Sequence, residues 1–182
     1  MEVRFHNLDN VIDDFAKFGK VNNKAISQAM NRANTAGRTA VVSDTIGMRK
    51  KWNLKSGDLK AYTWSTKPNV NRLDTKFGMV SRSINLADFG AKWKRATPSG
   101  RKTKGVSYKI QKGKRKLLKG AFMAKGYVFT RRADDKIVPQ FSITPTSMFT
   151  ESDYDDLYIK KYFEMFDKRY SNNLDFLMSK SK

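Results

Sequence analysis

The pattern of apolar and polar positions divides the chain into three textures. Val3-Arg4-Phe5 alternates and predicts a short strand. Leu8, Val11, Ile12, Phe15 and Phe18 then keep helical spacing, with Gly19 as the expected stop. Asn22 or Asn23 suits the N-cap of a longer helix over 23–46, because a side-chain oxygen there accepts a free backbone N–H. Ile26, Ala29, Met30, Ala33, Gly37, Ala40 and Val41 form one stripe along it. Most of these residues are small, which lets the helix approach a neighbour closely. Gly47 is the expected end, and Lys55-Ser56-Gly57-Asp58-Leu59 is expected to cap a further short turn.

From about residue 60 the texture changes to short runs of Thr, Val and aromatics. Tyr62, Trp64, Phe77, Met79 and Ile84 lie in such runs, separated by Pro68-Asn69, Asn71 and Gly78. Ala96 to Gly105 has no apolar anchor and predicts a polar loop. Val106, Tyr108 and Ile110 alternate with Ser107 and Lys109 as in a half-buried strand, followed by a turn at Lys112-Gly113-Lys114-Arg115. Ala121-Phe122-Met123 and Tyr127-Val128-Phe129 predict further strands, and Phe141-Ser142-Ile143 an extended run between Pro139 and Pro145. Ser152 or Asp153 then caps a last helix, with Asp155 and Asp156 in its first turn and a broad face of Tyr154, Leu157, Tyr158, Tyr162, Met165, Phe166 and Tyr170. This order predicts an α+β fold: N-terminal helices and a long C-terminal helix packed on a small, mainly antiparallel sheet with long basic loops. A single domain over 1–182 is expected, with an N-terminal extension (1–20), a helical part (21–60), a β-rich basic region (61–149) and a C-terminal helix and tail (150–182).

Charge sharpens that division. The 182 residues hold 37 Lys and Arg against 17 Asp and Glu, a formal charge of +20. Residues 1–31 are neutral and 137–182 sum to −1, so the middle of the chain carries the excess. Between Lys92 and Lys136 sixteen bases face only Asp134 and Asp135. Such a balance suits a polyanion or an acidic protein surface. No stretch approaches the roughly 20 apolar residues of a membrane span, and the first ten residues lack the apolar run of a signal peptide, so a soluble cytoplasmic product with no membrane partner is expected. The absence of cysteine excludes disulfides and thiolate chemistry, and a single histidine, His6, excludes His-rich metal sites.

Catalytic patterns find little footing. Gly100-Arg101-Lys102-Thr103 superficially resembles a phosphate-binding loop but lacks the glycine before Lys-Thr and the one five residues earlier. Asp13-Asp14, Asp134-Asp135 and Asp155-Asp156 are sequence neighbours that diverge, whereas acid–base pairs must converge across a cleft. Asp134-Asp135-Lys136 has the composition of some metal-nuclease motifs without a matching upstream pair, and reads as a turn. No catalytic residue, metal or cofactor is therefore assigned. The interleaving of Phe89, Trp93 and Tyr108 with Lys92, Lys94, Arg95, Lys104 and Lys109 fits rings that stack on bases, and equally fits strands with one buried face.

Four segments resemble the phage minor tail protein Z family, the tail-completion proteins of lambda-like phages. They are Ala29 to Ala40, with Asn31, Arg32, Ala33 and Arg38; Ile84 to Ala91, with Asp88, Phe89 and Gly90; Gly105 to Ala124, with Phe122; and Val128 to Arg131. They follow in the family's order across residues 25–132, and Pro145 to Met148 is similar to its closing stretch, where Thr144 replaces the usual glycine. The resemblance implies a non-enzymatic virion protein, assembled in the host cytoplasm, that finishes the head-proximal end of a tail and helps join it to the head. It implies a six-fold homo-oligomeric ring around the DNA channel, with tail terminator or tail tube proteins and head–neck connector proteins as partners. The motif residues are expected to be structural, with helices 23–46 and 152–170 helping to build contacts between subunits. Two basic loops, 92–104 (Lys92, Lys94, Arg95, Arg101, Lys102, Lys104) and 111–119 (Lys112, Lys114, Arg115, Lys116), are expected to meet acidic neighbours or DNA phosphate. A free-standing nucleic-acid-binding protein using the same basic region is the alternative.

Overall fold

The computed structural model describes residues 8–94 and 104–180, with side chains from Ala16 onward. The strand expected at Val3–Phe5, His6 and most of the 92–104 loop, including Arg95, Arg101 and Lys102, lie outside the described residues. The elements in chain order are α1 (Leu8–Val42), α2 (Met48–Lys51), α3 (Ser56–Ala61), β1 (Thr63–Ser65), β2 (Phe77–Met79), a 3₁₀ turn (Leu86–Phe89), β3 (Lys92–Lys94), β4 (Gly105–Tyr108), β5 (Lys116–Lys119), β6 (Phe122–Ala124), β7 (Tyr127–Arg131), β8 (Ile137–Pro139), α4 (Pro145–Thr150) and α5 (Tyr154–Lys180). The fold is α+β with a long C-terminal helix. β1 pairs with β2, and two three-stranded antiparallel sheets follow, β3-β4-β5 and β6-β7-β8.

The expected break at Gly19 is absent, and α1 runs unbroken for 35 residues. A helical glycine costs about 0.5–1 kcal/mol relative to alanine, which packing along a long helix readily offsets. Asn22 is thus not a cap; it lies inside α1 and accepts a hydrogen bond from the Tyr170 hydroxyl at 2.8 Å. At the other end α1 stops at Val42, ahead of Gly47. Ser43 Oγ takes the Thr45 N–H at 3.2 Å, a local turn that competes with helix continuation.

The chain divides into two compact units. One comprises α1 up to Gly37, Ser65–Phe77 and α5 from Ile159. Its helix stripe is buried at Ala25, Ala29 and Ala33, with Ser27 and Asn34 buried among them. These small and polar side chains clasp the segment after β1: Ser27 Oγ and Asn31 Nδ2 donate to Pro68 O at 3.2 and 3.1 Å, and Asn34 Nδ2 donates to Thr66 O at 3.2 Å. On α5, Tyr162, Phe166 and Tyr170 recur every four residues and stack, with centroids 6.3 and 5.8 Å apart.

The other unit holds Arg38–Trp64 and Gly78–Tyr158. Phe89, Met48, Leu59, Ile84, Met148, Val41, Val106, Val128 and Pro145 are its largest fully buried side chains. Leu86, Val106, Ala121 and Val128 form one cluster, so the 3₁₀ turn, β4 and β7 share an apolar centre. Asn85 caps the turn: its Oδ1 accepts the Ala87 and Val128 N–H groups, both at 3.0 Å. The extended run expected at 141–143 pairs with this segment through an Asn85–Phe141 bridge and the Ser142 N–H to Ile84 O bond of 2.8 Å. Thr144 caps α4 by accepting the Ser147 N–H at 3.1 Å, with Pro145 in the first turn.

Candidate docking surface

Two of the cation segments expected in loops are strands. Lys92-Trp93-Lys94 is β3 and Lys116–Lys119 is β5, flanking β4 on either side. The register aligns Lys92 with Ser107 and Leu117, and Lys94 with Gly105 and Lys119. Directly opposed residues in an antiparallel sheet project to the same face, and neighbours along a strand project to opposite faces. One face therefore carries Lys92, Lys94, Ser107, Leu117 and Lys119. The other turns Val106, Tyr108 and Leu118 towards the apolar centre.

Arg115 completes the first face. Its Nη1 donates to Ser107 Oγ at 2.8 Å and to Ser107 O at 3.3 Å, and Ser107 Oγ donates to Lys92 O at 3.1 Å. The chain of bonds buries Ser107 to 3% exposure and ties the guanidinium to the middle strand. Lys94 and Lys119 stand two strand spacings apart, about 10 Å, near the screening length at physiological salt. The positions aligned on this face include no acid, so the cations repel one another and the face favours an anion. Leu117, 43% exposed, lies among them.

The remaining predicted cations are dispersed. Lys116 is aligned with Tyr108 and so belongs to the opposite face. Lys112 forms an ion pair with Asp44 at 3.5 Å, and Lys114 is exposed in the turn before β5. Lys104 places its Nζ 5.6 Å from the Trp93 ring centroid. Of the ten residues expected, Lys92, Lys94 and Arg115 share one face, and Lys119, which was not among them, joins it. Its signal lay in the Lys-Leu-Leu-Lys pattern, where alternation puts Leu118 inward and Lys119 outward.

The motif residues take varied places in the fold. Asn31 also donates to Ser27 O at 2.9 Å, Ala33 is fully buried, and Arg32 is exposed. Arg38 Nε donates to Thr63 Oγ1 and its Nη2 to Lys60 O, both at 2.7 Å, fixing the end of α3. Phe89 is fully buried, and its carbonyl accepts from Lys109 N and Asn53 Nδ2, both at 3.1 Å. Gly90 closes the turn in a left-handed conformation, φ 64°. Burial pushes the Asp88 carboxyl above its ordinary range, Asp58 adds to the shift, and the Tyr62 hydroxyl 3.4 Å away opposes it. Phe122 stacks on Phe129, with ring centroids 5.8 Å apart.

Asp134 and Asp135 occupy the β7–β8 turn, paired with Lys136 at 3.2 Å and Arg131 at 3.4 Å. Among the described residues no three His, Asp or Glu side chains converge as metal ligands, and no helix is long and apolar enough to cross a membrane. No family model, curated protein or solved structure matches the chain.

Proposed function

We propose that this chain is a structural assembly protein, a tail-completion subunit at the head-proximal end of a phage tail. The basic face of β3-β4-β5 supports this reading: Lys92, Lys94, Arg115 and Lys119 stand on one hydrogen-bonded sheet with no acid at the aligned positions. A rigid array of like charges favours encounter and registry with an acidic protein surface more than it adds affinity. The ordered motifs in 25–132 add the context of a tail subunit, a six-fold ring around the DNA channel that meets the tail tube or terminator on one side and the head–neck connector on the other. Leu117 would supply the apolar centre of that contact.

The triple substitution K92E/K94E/K119E tests the reading in virions assembled with the altered chain. Filled heads and finished tails should accumulate unjoined, while circular dichroism and the melting temperature of the purified protein stay within the small range of surface substitutions, about 0.5 kcal/mol. Normal joining and infectivity, or virions that lack this chain, would sink the proposal.

A further inference from the structure

A second surface of the same unit has different chemistry. Trp93, Lys104, Gly120, Ala121, Phe122 and Arg131 line a cavity of about 490 Å³. Its size lies in the ordinary range for small-molecule sites. Trp93 and Phe122 give it two aromatic walls and Lys104 and Arg131 two cations, and no acid is among the described residues that line it. Trp93 is 38% exposed, a large apolar ring only partly covered by its own chain.

The rings continue beyond the cavity. Phe122 is aligned with Phe129, and Ala124 with Tyr127, so the pleat of β6-β7-β8 puts Phe122, Phe129, Tyr127 and Arg131 on one face. The Phe122–Phe129 and Phe129–Tyr127 centroids are 5.8 and 6.1 Å apart, and Tyr127 is 48% exposed. Arg131 has a long 3.4 Å contact with Asp135, both side chains well exposed, an ion pair that a phosphate can readily displace.

Flat apolar walls bordered by cations select a flat, conjugated group that carries negative charge. A row of such walls selects several in succession. We infer that the Trp93–Phe122 cavity and the aromatic row leading from it form a binding track for a single nucleic-acid strand. One base would enter the cavity between the rings, with its phosphate between Lys104 and Arg131, and following bases would stack on Phe129 and Tyr127. Duplex DNA keeps its bases stacked inside and cannot present them this way. An acidic peptide would satisfy the cations but leave the rings unused. The track is independent of the basic face of β3-β4-β5 and of the tail reading.

The test uses the full chain in a W64F background, where Trp93 is the exposed indole and Trp52 is 2% exposed. Titration with a 12-mer of deoxythymidine should quench Trp93 fluorescence saturably. K104Q/R131Q should weaken binding about tenfold and reduce the salt slope by roughly 1.4, the value for two phosphate contacts on a single strand. F122L, which keeps an apolar filler, should weaken binding severalfold with the melting temperature preserved. K92E/K94E/K119E should leave the quench intact at low salt, separating failure of the track from failure of the docking face. Unchanged fluorescence at saturating oligonucleotide, equal affinity for a 12-base-pair duplex, equal affinity for thymidine monophosphate, or the same quench from an oligoglutamate peptide would each overturn the inference.

Discussion

The two three-stranded sheets are built alike and finished differently. Each turns one side chain of its middle strand, Val106 or Val128, into the cluster around Leu86 and Ala121, and each leaves its other face open. On β3-β4-β5 the open face bears Lys92, Lys94, Arg115 and Lys119; on β6-β7-β8 it bears Phe122, Tyr127, Phe129 and Ile137. Burial of the inner faces satisfies the needs of folding, so the outer faces are free to differ. A cationic face gains nothing for the isolated chain and an aromatic one costs solubility. On the two readings proposed above, the faces would meet partners of different chemistry, and neither face is needed to stabilise the sheets.

Removing the support common to both sheets is the most severe way to break the comparison. Phe89 is fully buried on the 3₁₀ turn that also carries Leu86 of the shared cluster, and its carbonyl holds Lys109 N just after β4. Phe89→Ala should cost about 3–5 kcal/mol, read as the shift of a urea unfolding midpoint. Hydrogen exchange at the Val106 and Val128 amides should accelerate together. Acceleration in β4 with full protection in β7 would show that the sheets do not share this support.

The shared inner layer was legible in the sequence, whereas the outer faces were only partly so. Val106-Ser107-Tyr108 and Tyr127-Val128-Phe129 alternate or carry β-formers, and both became strands. Lys92-Trp93-Lys94 and Lys116 to Lys119 read as loop because charge density hides their alternation, and their pairing to β4 depends on residues across intervening turns. The cations themselves were plain from composition. Which of them share a face was not, because a pleat assigns sides only once register is known. Lys112 illustrates the same limit: its partner, Asp44, lies 68 positions away. The continuation of α1 through Gly19 and the start of α4 at Pro145 have local reasons: one glycine costs a 35-residue helix only about 0.5–1 kcal/mol, and Pro145 sits in the first turn behind the Thr144 cap.

Two substitutions separate the sheets. A Cβ on Gly105 would stand 2.3 Å from Leu118 O across the β4–β5 pair, a backbone clash that no side-chain rotation relieves. Gly105→Ala should cost about 1–3 kcal/mol and loosen amides in β3 and β5. Asn85→Ala leaves the Val128 and Ala87 N–H groups without their acceptor, at a similar cost of about 1–3 kcal/mol centred on β7. Exchange rates mapped along the chain should give complementary patterns, and identical patterns would make the two sheets one cooperative element.

The smallest effect sharpens the comparison by isolating the turn from both sheets. Burial, then the neighbouring charge of Asp58, raise the Asp88 carboxyl above its ordinary value. A carboxyl raised on folding binds its proton more tightly in the folded chain. Its contribution to stability is therefore complete below the unfolded value, about 3.9, and is lost as pH rises through the higher folded one. At neutral pH the ionised group is a liability that an amide lacks. Asp88→Asn keeps an oxygen within reach of the Tyr62 hydroxyl, now 3.4 Å from Oδ2. It should raise the melting temperature slightly at pH 7, and the advantage should vanish below about pH 3.9. Because Asp88 belongs to neither open face, binding through the lysines and through the aromatic row should both be untouched. A lower melting temperature at pH 7 would mean that the carboxylate's bond to Tyr62 outweighs its burial.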